Sequence, residues 1–280
     1  MLKSIEEVYC IIDEVVKLGI IKSSKIGRKS KLTMSEVITI LIEGHKRHYS
    51  TEKQLYEMIN TELRKCFNKI PCYVQFTRII RKAMPYLDLI IEIFTKINAA
   101  NTQTYCIVDS TALPVAGYNK NDVKWAQDTA GKGKNMHGFY QGFKLHIIIN
   151  QNREIISVST SKANVHDIQS LKNYKFIKHV KGVLIGDKGY VASEKHRRAL
   201  KKYGIELIAK QRENMDPYLN EFYGDLLKKR RQIESIFGFF KTRLGLIFPF
   251  LRSAESFLVH AKAAVVTYML RDMKHEMLNV

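Results

Sequence analysis

The sequence predicts a mixed α/β fold, a sheet flanked by helices, with an all-α domain in front of it. Three observations carry that reading. Apolar residues recur at every third or fourth position up to residue 97 and then give way to short runs of β-branched and aromatic residues. Beyond that change, three strand-like runs come first, and strands then alternate with helices. The chain has 280 residues, 45% of them hydrophobic, enough for a sizeable core. Residues 1–97 are therefore read as a helical N-terminal domain and 98–280 as an α/β domain.

The helical part opens its elements with capping-box signals at Thr33-Met34-Ser35-Glu36 and Thr51-Glu52-Lys53-Gln54. Its spacing fits roughly four or five helices. The stretch 71-PCYVQFTRIIRKAMPYL-87 reads as a turn followed by a short helix bearing Gln75, Arg78, Arg81 and Lys82. Such a helix either enters a DNA groove or is an ordinary basic surface element. Strands are expected in 104-TYCIVDS-110, 143-FKLHIIIN-150, 154-EIISVSTS-161, 182-GVLIGDKGY-190 and 205-IELIAK-210. Helices are expected over 166–179, 193–203 and 217–246, with a final apolar helix over 254–274. Three strands, then alternating helix and strand, is the order of an RNase H-like fold with strands of mixed direction. The segment 117–138 is polar and rich in Gly and Lys, and is expected to be a long functional or mobile connection.

Charge narrows the partners. Lys and Arg number 46 against 27 Asp and Glu, a formal charge of +19 with a pI near 9.7. That surplus points to a polyanion, because each cation that neutralises a phosphate releases condensed counterions. The N-terminal stretch MLKSIEEVYCIIDEVVKLGI is apolar at helical spacing and broken by charges, so neither a signal peptide nor a membrane span is expected. The four cysteines, Cys10, Cys66, Cys72 and Cys106, form no CxxC pair. Reduced thiols in a cytoplasmic protein follow, without a zinc site or a disulfide framework.

Carboxylates behind buried strands are the next signal. Asp109 is expected at the end of the first strand and Asp187 at the end of the fourth, two neighbours in this topology. A lone Asp there more often caps a turn; two at one sheet edge point to a site. On the last helix, Arg230, Glu234 and Lys241 (i, i+4, i+11) fall within roughly 40° on a helical wheel. By itself this is either a solvated ion pair or an anion-facing stripe. If Glu234 joins the two aspartates, three carboxylates repel unless a divalent cation lies among them, and hard oxygen ligands suit Mg²⁺ or Mn²⁺.

Together, 107-IVDS-110, 186-GDKGY-190 and 228-KKRRQIESIFGFFK-241 resemble the catalytic domain of bacterial insertion-sequence DDE transposases. Asp187, Gly189 and Tyr190 fit that family's Asp-x-Gly-x-Tyr/Phe element in its first four positions. Arg230, Glu234 and Lys241 fit its Tyr-x2-Arg-x3-Glu-x6-Lys signature, with Leu227 standing where the signature has Tyr. The segments 141-QGFKLHIIIN-150 and 163-ANVHD-167 look like the second- and third-strand region of the same group, so the likeness spans residues 103–250. The resemblance implies that Asp109, Asp187 and Glu234 ligate two Mg²⁺ ions, with Mn²⁺ able to substitute, while Arg230, Lys241 and Lys144 hold DNA phosphates. It implies cleavage of DNA at the terminal inverted repeats of the element and transfer of the 3′-hydroxyl ends to target DNA. Joining two ends at once implies a homodimer or higher oligomer. A stand-alone nuclease of the same fold and a non-catalytic DNA-binding derivative are the two alternatives. Between Asp187 and Glu234 lie 46 residues, too few for a large inserted domain.

The remaining candidates carry two readings each. Lys144 and His146 share a strand face; His146 is weighted toward a structural role. Asp167 is read as a helix N-cap rather than a metal ligand. Trp125, ahead of Lys132 and Lys134, either stacks on a splayed base or anchors its loop, with the anchor preferred. The run Lys195, Arg197, Arg198, Lys201 and Lys202 either tracks a DNA backbone or is a solvated face.

Overall fold

A computed structural model describes residues 3–18, 30–49, 51–101, 103–116, 123–210, 223–246 and 251–271. The first part folds as α1 (Ile5–Leu18), α2 (Met34–Lys46), α3 (Glu52–Asn60), α4 (Tyr73–Arg81) and α5 (Met84–Ala100). Both expected capping boxes form: Thr33 exchanges hydrogen bonds with Glu36, and Thr51 with Gln54. Each satisfies two amide donors that a helix start leaves without partners.

The sheet comprises β1 (Tyr105–Pro114), β2 (Gly131–Asn135), β3 (Gly138–Asn150), β4 (Ile155–Lys162), β5 (Gly182–Gly186) and β6 (Ile205–Ala209). Its order is β2-β3-β1-β5-β6, with β4 beside β3 as well. β3 pairs antiparallel with β1 on one side; on the other, its first residues take β2 and its later ones β4. β1, β5 and β6 run parallel. This is the mixed, RNase H-like sheet that the element order predicts.

β1 shows why simple alternation is lost here: Cys106, Ile107 and Val108 are all buried because both faces of the sheet are covered. Cys106 and Val108 face a smaller core with Leu184, Phe176 and Leu200, under α6 (Tyr174–Ile177) and α7 (Glu194–Lys201). Ile107, Ile147 and Ile185 face the other way, into one continuous core shared with α1 to α5. α8 (Gly224–Lys228) and α9 (Arg231–Arg243) follow, and α10 (Ala254–Met269) closes the structure against α2, α4 and α5. α10 is apolar around most of its circumference because helices surround it; Phe257, Val259 and Ala264 are fully buried. Among the described residues, no helix is long and apolar enough to cross a membrane.

Four expectations need correction. Asp109 lies within β1 rather than at its end, because antiparallel pairing with β3 carries β1 on to Pro114 after its pairing with β5 has stopped at Ile107. Part of the expected loop 117–138 is β2: the open edge of β3 supplies backbone partners that residues of low strand propensity accept. Residues 117–122 lie outside the described residues. The helix expected over 166–179 is a 3₁₀ turn (Asp167–Lys172) and α6, divided at Asn173, whose side chain caps α6 by accepting from the Lys175 amide. The helix expected over 217–246 is broken between α8 and α9, where backbone bonds tighten to i+3: Arg230 N to Leu227 O at 3.2 Å and Ile233 N to Arg230 O at 3.1 Å. Its start at 217–222 and the end of the last expected helix, 272–274, fall outside the described residues.

Candidate active site

Asp109 lies two residues past the last β1–β5 pair, Ile107↔Ile185, and Asp187 caps the 3₁₀ turn that follows β5, close enough for its charge to act on Asp109. Alternation turns both toward the sheet face that α9 covers. Asp109 is 8% exposed and holds two donors: the Ser110 amide at 2.7 Å and the Arg230 guanidinium at 2.9 Å. Burial, then the charge of Asp187, pushes its carboxyl up to about 7. Asp187 is also raised, chiefly by burial, although it accepts from the Gly189 amide at 2.8 Å. That bond closes a tight 3₁₀ turn, Lys188–Tyr190. A Cβ at Gly189 would lie 2.9 Å from Asp167 Oδ2 and 3.0 Å from Asp187 Oδ1, so the glycine lets two acidic side chains approach one backbone. Tyr190 is fully buried in the smaller core on the other face of the sheet, its hydroxyl 3.3 Å from His146 Nδ1.

α9 brings the third acid. Ile233, Ile236, Phe237 and Phe240 bury one stripe of the helix in the core and leave Glu234 on the rim, its side chain half exposed. Arg230 reaches Asp109 with one nitrogen and Glu234 with the other, the latter at 2.6 Å. The guanidinium thus stands between the first and third acids as the local cation. Lys241 is exposed on the same stripe, further along α9.

Asp167 is not a cap. His166 holds the N-cap position without a side-chain bond, while Asp167 accepts from Ser110 Oγ at 2.9 Å and Lys144 Nζ at 3.0 Å. It stands as a fourth carboxylate near the pair and contributes to raising both aspartates. Sequence reasoning passed over it because an Asp before a helical segment matches a cap equally well; the signal was its place in 163-ANVHD-167. Lys144 also donates to Val165 O at 2.9 Å, so its charge is turned inward. His146 is fully buried between Tyr190 and Ser161 and is held neutral by burial, its pKa about 4, which is the structural role.

Trp125 is half-buried and packs against the large core. Lys132 and Lys134 lie on β2, with Lys134 over the exposed Phe139 ring. Arg78 is exposed on α4, and Arg81 donates to Ser256 on α10 at 3.2 Å. The basic run on α7 is mostly exposed, with Arg198 paired to Glu194. All four cysteines are free.

The donor chemistry at the sheet edge fits a divalent cation in part. Asp109 and Asp187 are adjacent hard-oxygen ligands whose mutual repulsion a cation would relieve. Glu234 is held from them by Arg230, and among the described residues no three His, Cys, Asp or Glu side chains are grouped closely enough to hold a metal ion.

An RNase H-like sheet with one aspartate inside its central strand and another just past the end of the next, faced by an Arg-x3-Glu helix, defines a class of polynucleotide-processing proteins. The transposase DDE domain family matches residues 99–247, more than half of the chain, and the chain belongs to that family. No curated protein matches it.

Proposed function

We propose that this transposase cleaves DNA at the ends of its insertion sequence and joins the freed 3′-hydroxyl ends to target DNA. The observation that carries the reading is the closeness of Asp109 to Asp187, with Arg230 bridging Asp109 to Glu234. Asp109 and Asp187 would hold Mg²⁺ or Mn²⁺, and Glu234 would complete the set once a DNA phosphate draws Arg230 from the acids. Two such ions supply activation of the attacking oxygen and stabilisation of the leaving one. Arg230 and Lys241, on one helical stripe, offset the repulsion between an anionic strand and three carboxylates. Lys144 fixes Asp167 and thereby the polar wall behind the pair. The buried Ile107, Ile147 and Ile185 on the same sheet face keep the floor dry. The helical domain would read the terminal repeats or join subunits in a dimer or larger assembly, in a cytoplasmic, nucleoid-associated protein.

The test is a Mg²⁺-dependent reaction on duplex DNA carrying the element's ends, with a plasmid target. Wild type should nick the ends and produce joined products, and Asp109→Asn and Glu234→Gln should do neither. Undiminished joining by both variants would remove the three-acid assignment; nicking without any joined product would leave a nuclease.

A further inference from the structure

The helix that carries Glu234 is held differently at its two ends. At its start α9 follows a joint of i+3 bonds, and among the described residues no side chain caps it there. Its middle rests on the core through Ile233, Ile236, Phe237 and Phe240. Apolar contact is non-directional, so it decides which face of the helix is buried without fixing where the helix stands along its axis. The far end has directional partners. Backbone bonds from Leu244 N to Phe239 O at 3.2 Å and from Leu246 N to Phe240 O at 2.9 Å close the last turn. The fully buried C-cap, Leu244, has its carbonyl 2.9 Å from the ring Nδ1 of His45. A carbonyl only accepts, so Nδ1 carries the proton and donates. His45 lies in the last turn of α2, 2% exposed, and its ring meets His260 of α10 edge to face at 5.7 Å. The bond spans 199 positions of the chain and ties the helical part to the end of the helix bearing the third acid.

We propose that His45 is a positioning residue for the third acid: by capping Leu244 it fixes α9 along its axis and so sets where Glu234 and Arg230 stand against the aspartates. Glu234 and Leu244 are ten residues apart, about 15 Å of helix at 1.5 Å per residue. Over that length a hydrogen-bonded helix acts as a rod, and a slide or turn at one end reaches the other. A buried carbonyl stripped of its donor carries a desolvation penalty that the helix end relieves by moving. Misplacing a reacting group by about 1 Å costs on the order of a hundredfold in rate. The catalytic consequence rests on the DNA-processing reading; the anchoring of α9 does not.

The test uses the full chain and two substitutions of His45. Asn offers an amide N–H where the ring has Nδ1–H, and Leu fills similar space with no donor. Hydrogen exchange read by mass spectrometry in EDTA compares α9 with α5. His45→Leu should speed exchange over Arg231–Arg243 by about tenfold and leave Met84–Ala100 at the wild-type rate. It should also lower Mg²⁺-dependent nicking of end-bearing duplex by about tenfold or more, with affinity for that duplex in EDTA within about twofold of wild type. His45→Asn should recover most of both losses. Gly245→Ala loosens the same bond from the acceptor side: Ala resists the φ of +56° held there, and its Cβ meets nothing within 4 Å, so the fold survives. It should change exchange and nicking less, in the same direction, and it decides the matter if His45→Leu does not fold. Wild-type exchange of α9 in these variants overturns the anchoring. So does equal loss of protection in α9 and α5, which is what a plain core histidine gives. Selective loosening of α9 with wild-type nicking overturns the positioning role. Selective loosening that Asn restores, in a protein whose wild type nicks nothing in Mg²⁺, sustains the anchoring and sinks the transposition reading instead.

Discussion

Glu43 and Asp109 are both buried carboxylates, 2% and 8% exposed, yet their surroundings differ in kind. Glu43, on α2 in the helical part, accepts from both Lys46 and Arg47, so its charge is neutralised within its own helix turn. Asp109, at the sheet edge, has Asp187 beside it and shares its one guanidinium with Glu234. One region is built to be complete by itself, and the other is left short of positive charge. Burial alone does not mark a functional acid; burial without local compensation does.

The largest expected effect separates the two functions of the sheet edge. Asp109→Asn should lower Mg²⁺-dependent cleavage by on the order of a thousandfold, since several kcal/mol of charge stabilisation depend on the ligand. The same change should stabilise the metal-free protein at pH 7. With its carboxyl raised to about 7, the folded chain binds the proton more tightly than the unfolded chain, so stability falls as pH rises from about 4 to 7. Removing that group should recover on the order of 3 kcal/mol, read by urea unfolding in EDTA.

In the helical part, Lys46→Met combined with Arg47→Met strands Glu43 and should cost about 3–5 kcal/mol. Cleavage by the still-folded fraction at low temperature should be unchanged. If unfolding curves match wild type, the contrast between the two carboxylates fails.

The pH response of the helical part has the opposite sign. His45 and His260 are fully buried with rings 5.7 Å apart, and burial holds them at about 4 and about 3. The unfolded chain binds these protons and the folded chain does not, so stability is lost as pH falls below 6.5. Each histidine should contribute about 2 kcal/mol of loss by pH 5, visible as a steeper acid limb that His260→Gln flattens. Smallest is Thr33→Ala, which removes one side of a capping box and should cost about 1 kcal/mol in thermal unfolding.

The sequence disclosed the sheet and the acids because they rest on local signals. Apolar runs ending in Asp, and a helix with Arg, Glu and Lys at one angle, can be read without knowing what packs on them. It did not disclose β2, whose pairing is with the backbone of β3, nor the break before α9, which no Pro or Gly announces. The acid at Asp167 was legible as a residue but not as a neighbour, because only the tertiary fold brings Ser110 and Lys144 to it. Arg230 was expected on a DNA phosphate; that it first bridges Asp109 and Glu234 is a consequence of distances no spacing rule supplies.

The position of α10 has an effect on how the molecule comes to exist. Helices α2, α4 and α5 leave the ribosome well ahead of α10 and lack the partner that covers them until Ala254–Met269 has been made. At about 5–20 residues per second, that wait is on the order of ten seconds or more. During synthesis these helices therefore have exposed apolar surface suited to chaperone capture, and a product terminated ahead of Ala254 should be cleared by proteolysis instead of lingering as a competitor for DNA.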